Sequence, residues 1–295
     1  MRYRAWKDQF VKYGSAILLW MTVLVIALIA AGLIFKSLPL LRNENLLQIL
    51  SSSVWSPLKG NFGFLPFILG TVWVTLISLI IAVPLCIMAS IYLVEFASDR
   101  LRNFVLPLMN VLAAIPPVLY GVWGILFVVP ILRNYIAPIF GIETTGYSVF
   151  AGGIVLAVMI FPILISIMVE VMRTVPKELK DASLSLGATH WETITAVSLR
   201  KSKPGIIAAI VLGVSRAIGE TIAVLMVCGN VPQLPKSLFD AGYPIPALIA
   251  NNFGEMMSIP LYDSALMFAA LLLFVIIFGF NLVSRVVLNR LEDHG

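Results

Sequence analysis

The sequence predicts an all-α integral membrane protein: a six-helix transmembrane bundle, a single domain over 1–295, with both termini cytoplasmic. Three observations carry this. Of the 295 residues 60% are hydrophobic and only 12% charged, where soluble domains carry roughly 25% charged residues, and mean hydropathy is +1.00. Apolar runs recur at a length that crosses a hydrocarbon core, since about 30 Å takes roughly 20 helical residues. Lysine and arginine also fall unevenly between alternate loops. Helices follow because lipid offers backbone N–H and C=O groups no partners.

Each span has its own signature. The run over 13–35 follows a basic start, Arg2, Arg4, Lys7 and Lys12, like the leader of a secreted protein. Leader cores hold about 7 to 15 apolar residues, so this longer run is expected to be a retained first helix. Trp6, Phe10 and Tyr13 suit the membrane interface ahead of it. Hydropathy and breakers predict further spans over about 65–94, 104–131, 148–170, 205–228 and 263–287. Pro84 and Pro116-Pro117 interrupt the second and third, where a missing N–H and a ring clash bend or break a helix. Such breaks line a cavity, permit motion, or only kink the bundle.

Six spans put fourteen basic residues on one side, Arg2, Arg4, Lys7, Lys12, Arg100, Arg102, Arg173, Lys177, Lys180, Arg200, Lys201, Lys203, Arg285 and Arg290. Five fall on the other, Lys36, Arg42, Lys59, Arg133 and Lys236. The positive-inside rule therefore predicts cytoplasmic termini. No internal repeat or low-complexity linker divides the chain.

Several functions lose support at once. The net charge of +5 is dispersed through short loops, so membrane lipid is the expected surroundings and no nucleic-acid partner is implied. Cys86 and Cys228 sit in apolar runs and read as packing residues, without a disulfide framework or a CxxC site. His190 and His294 form no metal cluster with them, and His190 lies in no hydrolase-like triad. A GxxxxGK[ST] phosphate loop is missing, so no cofactor is expected on this chain and any ATP energy must come from a partner.

The inner loop over about 171–204 is too patterned for a passive connection. Pro176 suits a first helical turn, Glu178 follows near the positive end of the dipole, and Gly187 supplies the stop. Thr189 and Glu192 match a capping box. A helix, a glycine turn and a second helix result. Its small residues Ala182 and Ser183 and apolar Leu179 and Leu186 fit a groove on another protein, or the hairpin lies on its own bundle.

The segment Asp181-Ala182-Ser183, then Gly187 after three residues, then Val197-Ser198-Leu199 after nine more, resembles the EAA loop of ABC importer permeases, E-A-A-x3-G-x9-I-x-L-P. Asp181 replaces Glu, Ser183 replaces Ala, Val197 replaces Ile, and Arg200 stands where Pro is usual. Residues 62–71, 114–124 and 216–224 resemble the phosphate importer permeases, and 229–235 is similar to the PstC-type subunit more than to the PstA type. The resemblance implies the type I (MetI-like) ABC importer permease fold in a bacterial inner membrane. It implies a channel for inorganic phosphate that works by alternating access. Asp181, Ala182, Ser183, Leu186 and Gly187 would then couple it to a dimeric ATP-binding subunit (PstB type), which holds ATP and magnesium. A second permease (PstA type) and an extracytoplasmic phosphate-binding protein (PstS type) complete the system that the resemblance implies. A permease for another oxyanion, sulfate or molybdate, is the alternative on the same architecture; a membrane-bound enzyme would need nucleophile or metal constellations that the sequence lacks.

Arg216 and Glu220 are four apart and are expected on one inward face of the fifth helix, because a charge at the bilayer centre costs about 2.5–3.5 kcal/mol. Two roles stay open. The pair neutralises itself and fastens the bundle. Alternatively, the guanidinium fork meets phosphate oxygens while the Glu220 carboxylate accepts from a P–OH group, as the resemblance favours. Ser215 and Thr221 flank the pair and either offer hydroxyls to the path or bond their own backbone. Asn110 lines a cavity or bridges helices.

Overall fold

A computed structural model describes residues 2–254, 259 and 261–292, with side chains for 11–254, 259 and 261–290. His294 lies outside the described residues, as do the side chains of Arg2, Arg4, Trp6, Lys7 and Phe10. Among the described residues, six helices have the length and apolarity to cross a membrane: Val11–Asn43, Leu65–Phe96, Pro117–Ile139, Val149–Arg173, His190–Gly219 and Tyr262–Arg290.

Small residues decide which helix is central. Along Val149–Arg173, a Cβ on Gly153 would collide with the Ile77 side chain, and one on Gly152 with the Cys228 sulfur. The two glycines therefore let the Leu65–Ile91 helix and the segment ending at Cys228 come within backbone distance. Ala151, Val155, Leu156, Ile160, Leu164 and Met168 then bury fully in the main core. Full burial of such a side chain contributes about 1.5–3 kcal/mol where the alternative is water. Within lipid, close packing is the larger gain, which is why small residues occupy the contact. Cys86 and Cys228 are both buried here as free thiols.

Three predicted helices differ from those observed. The run expected over 104–131 is two helices, the amphipathic Asp99–Ala113 and the spanning Pro117–Ile139. Pro116 stands between them with ψ 138, extended, and Pro117 opens the second helix, where its missing N–H costs nothing. Tyr120 Oη donates to Leu112 O at 2.9 Å across the break and holds the two pieces together. Pro84, by contrast, lies inside Leu65–Ile91 with no break, and the helix runs on into a π turn at Tyr92–Phe96. The helix expected over 205–228 ends at Gly219, and a short helix Ile222–Val227 follows.

At the end where the first helix finishes, residues 44–64 form an ordered cap that hydropathy does not announce. A short helix Leu46–Ser51 leads into a two-stranded antiparallel hairpin with Trp55 opposite Phe62 and Ser56 opposite Asn61. Gly60 closes the turn at φ 77, a left-handed conformation that glycine adopts freely. The Trp55 indole meets Phe67, Phe64 and Phe62 edge-on with centroids at 4.8, 5.4 and 5.6 Å. Together with Leu40, Tyr243, Tyr262 and Phe268 these rings make a second core. The first helix packs along the Tyr262–Glu292 helix and is buried near here at Ser37 and Leu40, with Lys36 Nζ 3.5 Å from Asp263 Oδ2.

Candidate translocation path and coupling element

The expected Arg216–Glu220 pair on one helical face does not form. Glu220 has φ −70 and ψ 128, extended backbone that ends the helix, so the i,i+4 relation of a continuous helix is lost. Its Oε1 instead accepts the N–H of Ala223 at 3.3 Å, supplying the acceptor that the first turn of Ile222–Val227 lacks. Arg216 sits in the last turn of the preceding helix, exposed, with no carboxylate within ion-pair distance among the described residues. The Tyr120 ring, beside the Pro116 break, lies within electrostatic reach of its guanidinium. The half-helix Ile222–Val227 packs against Pro117–Trp123, with Met226 against Gly121, so the two helix interruptions lie on neighbouring segments and Arg216 closes the helix before one of them.

The flanking hydroxyls bond locally. Thr221 Oγ1 donates to Gly219 O at 3.2 Å. Ser215 Oγ donates to Val211 O at 3.0 Å and lies 3.2 Å from Asn281 Oδ1. Asn281 is a further polar group, beside Ser215, that the sequence reading passed over. A lone amide within the apolar run after Tyr262 was the available signal. Asn110 belongs elsewhere: it accepts from Ser166 Oγ at 3.5 Å and lines a cavity of about 460 Å³ with Glu170 and Arg173, of which Arg216 is no part.

At the opposite end of the bundle from the hairpin, residues 176–193 fold as helix, glycine turn and helix. Lys177–Ser185 begins just after Pro176, which is extended at ψ 137, so proline precedes the first turn expected to hold it. Gly187 has φ 89 and nothing within 4 Å of a built Cβ, so its requirement is backbone conformation, not space. The Thr189 N–H donates to Glu192 Oε2 at 2.7 Å and the Glu192 N–H to Thr189 Oγ1 at 3.3 Å, a complete capping box. From His190 the helix continues through a π turn at Ile194–Ser198, past Arg200, into the span ending at Gly219.

Of the residues expected to dock a partner, Asp181, Ala182 and Gly187 are exposed and Leu186 is 90% exposed. Ser183 turns inward instead, its hydroxyl 3.0 Å from Thr193 Oγ1. Leu179, Leu184 and Trp191 add further exposed apolar surface. An apolar knob at the tip of a braced helical turn is suited to a groove on another protein.

Six spans, an arginine at a helix break with no ion-pair partner among the described residues, and a braced knob outside the bundle are the parts of a multi-pass membrane permease. The chain belongs to the family of binding-protein-dependent transport system inner membrane components, whose model matches residues 82–293. Among its relatives is the phosphate transport system permease protein PstC of Xylella fastidiosa, 37% identical over 82% of this chain and 78% of that protein. The PstC protein of Haemophilus influenzae is 33% identical over 98% of this chain and 96% of its own length. Of solved structures, the inward-facing MetNI methionine ABC transporter aligns with TM-score 0.55 at 19% identity, covering 84% of this chain and 98% of that one. A bacterial ABC transporter involved in importing the acidic polysaccharide alginate aligns with TM-score 0.54 at 19% identity, covering 96% and 98%. These last two share the fold, a type I ABC importer permease.

Proposed function

We propose that this chain is the channel-forming subunit of an ATP-driven importer of inorganic phosphate. The observation that carries the reading is Arg216, whose guanidinium is not neutralised by Glu220 and so keeps its donors for an anion. A planar fork of N–H donors matches tetrahedral oxyanions, and the extended break at Glu220, beside the helix that carries Tyr120, supplies an irregular backbone of the kind that lines a path. Phosphate near neutral pH still carries a proton, which the second oxygen of Glu220 can accept while Oε1 serves Ala223. Sulfate offers no such donor. The names of the relatives support the same substrate.

The basic-residue asymmetry supports cytoplasmic termini, with the 176–193 element on the cytoplasmic side of a bacterial inner membrane. There Leu186 and its neighbours meet a dimeric ATP-binding subunit of PstB type, which binds ATP and magnesium. A PstA-type permease completes the pore, and a PstS-type phosphate-binding protein delivers substrate at the hairpin end. Closure of the ATPase moves the 176–193 element and swings the half-helices between outward and inward access.

The test is ATP-dependent phosphate uptake by the complete complex in vesicles, with sulfate and molybdate as competitors. Uptake of phosphate that neither competitor reduces is expected. Equal competition by sulfate would replace phosphate with a broader oxyanion substrate.

A further inference from the structure

We propose that Glu95 and Lys180 form a positioning strut that carries movement of the 176–193 element sideways into the Leu65–Phe96 span. This rests on the reading of that element as the site where an ATPase acts. The continuous helix from His190 to Gly219 gives one route into the membrane. The strut is a second route, to a different span.

Lys180 Nζ lies 2.8 Å from Glu95 Oε1, and the two side chains are 19% and 6% exposed. An exposed ion pair opens readily in water, whereas separating a buried one strands a charge, so this contact transmits a pull without parting. Glu95 stands in the π turn Tyr92–Phe96, whose wider coil re-aims side chains against the helix before it. The ground under it is stiffened by Arg102, whose Nε donates to Leu93 O at 2.7 Å and whose Nη2 donates to Val94 O at 3.1 Å and Ala97 O at 3.2 Å. Those bonds satisfy the carbonyls that a helix end leaves open.

Beside the strut, the Phe96 and His190 rings meet edge to face at 5.2 Å. The Ser183–Thr193 contact joins the two helices of the element into one body. A displacement applied at Leu186 therefore reaches Glu95 with little slack. The receiving span packs along Val149–Arg173 at the glycine contacts, so its shift is passed to the centre of the bundle.

The experiment uses the whole complex in vesicles and reads three quantities: retention of the ATPase subunit, ATP hydrolysis, and phosphate taken up per ATP. Glu95→Gln and Lys180→Gln should each keep the subunit and its hydrolysis while uptake per ATP falls about ten-fold, as expected when a buried pair is broken. The exchange Glu95→Lys with Lys180→Glu should restore most of the ratio. A merely structural pair would change accumulation or hydrolysis without changing the ratio. Undiminished uptake per ATP in both single variants overturns the strut, as does an exchange no better than the singles. If the single variants fail to accumulate, the exchange alone decides: accumulation with restored uptake per ATP supports the strut, and any other result overturns it. Leu186→Glu separately examines the underlying reading. Loss of the ATPase subunit supports it, and an intact complex with full uptake removes it whatever the strut variants do.

Discussion

Arg216 and Glu220 are divided by a helix end: the arginine closes one helix, while the Glu220 carboxylate turns forward to the Ala223 N–H, 3.3 Å away. A charge pair that a continuous helix would have joined is thereby split into a cap and an available cation.

Replacing Arg216 by lysine keeps the charge and removes the planar fork. Phosphate uptake by the reconstituted complex should fall at least about ten-fold, in line with roughly 1.5–3 kcal/mol for charged hydrogen bonds. Assembly with the ATPase subunit should be unchanged. Uptake equal to wild type would remove the guanidinium from recognition.

Glu220→Gln retains an oxygen for the Ala223 N–H, whereas Glu220→Leu retains none. Thermal unfolding in detergent should leave the glutamine variant near wild type and cost the leucine variant about 1 kcal/mol, the usual effect of a lost cap. Both should narrow the preference for phosphate over sulfate. A glutamine variant with unaltered preference would confine Glu220 to capping.

Gly187 at φ 89 allows a ranking of substitutions. Asparagine tolerates the left-handed region, alanine loses about 1–2 kcal/mol there, and proline is fixed near φ −65 and cannot enter it. Retention of the ATPase subunit should fall in the order glycine, asparagine, alanine, proline. Full retention by Gly187→Pro would show that the turn is unnecessary.

A methyl on Gly152 would strike the Cys228 sulfur, so Gly152→Ala should destabilise the bundle by about 1–3 kcal/mol. Cys228→Ala opens the space, and the double variant should recover a good part of that loss in a thermal double-mutant cycle. Strict additivity would mean that the two sites do not meet.

The spans were legible because hydropathy and length report lipid exposure directly. The capping box at Thr189 and Glu192 was legible too, since its acceptors and donors lie within three residues. The break at Pro116 was legible in its proline pair, whereas Pro84 causes none and the break at Glu220 escaped. Within 205–228 the extended residue at Glu220 is marked only by the Gly219 before it, and it depends on what the following half-helix packs against. The 44–64 cap was missed because Trp55, Phe62, Phe64 and Phe67 are too closely spaced for a span and gain their meaning only from Tyr243, Tyr262 and Phe268, far along the chain. Within the site, Arg216 stood out as the one basic residue of the run over 205–228, while Asn281 and the Glu95–Lys180 contact required tertiary neighbours to be seen.

The first helix ends at Asn43 after 42 residues, a rod of about 63 Å at 1.5 Å per residue, twice the hydrocarbon core. Its apolar side chains between Val11 and Phe35 are mostly exposed, its contacts with the rest of the protein run along the Tyr262–Glu292 helix, and its buried residues Ser37 and Leu40 lie near its end. Such a rod shows most of its apolar surface to the acyl chains. A span longer than the hydrocarbon core meets a change in bilayer thickness by tilting, and any tilt of this one is shared with the Tyr262–Glu292 helix packed beside it. The half-buried Val149–Arg173 helix has no comparable surface for lipid to push. Lipid thus covers more of the first span than of any helix at the centre of the bundle.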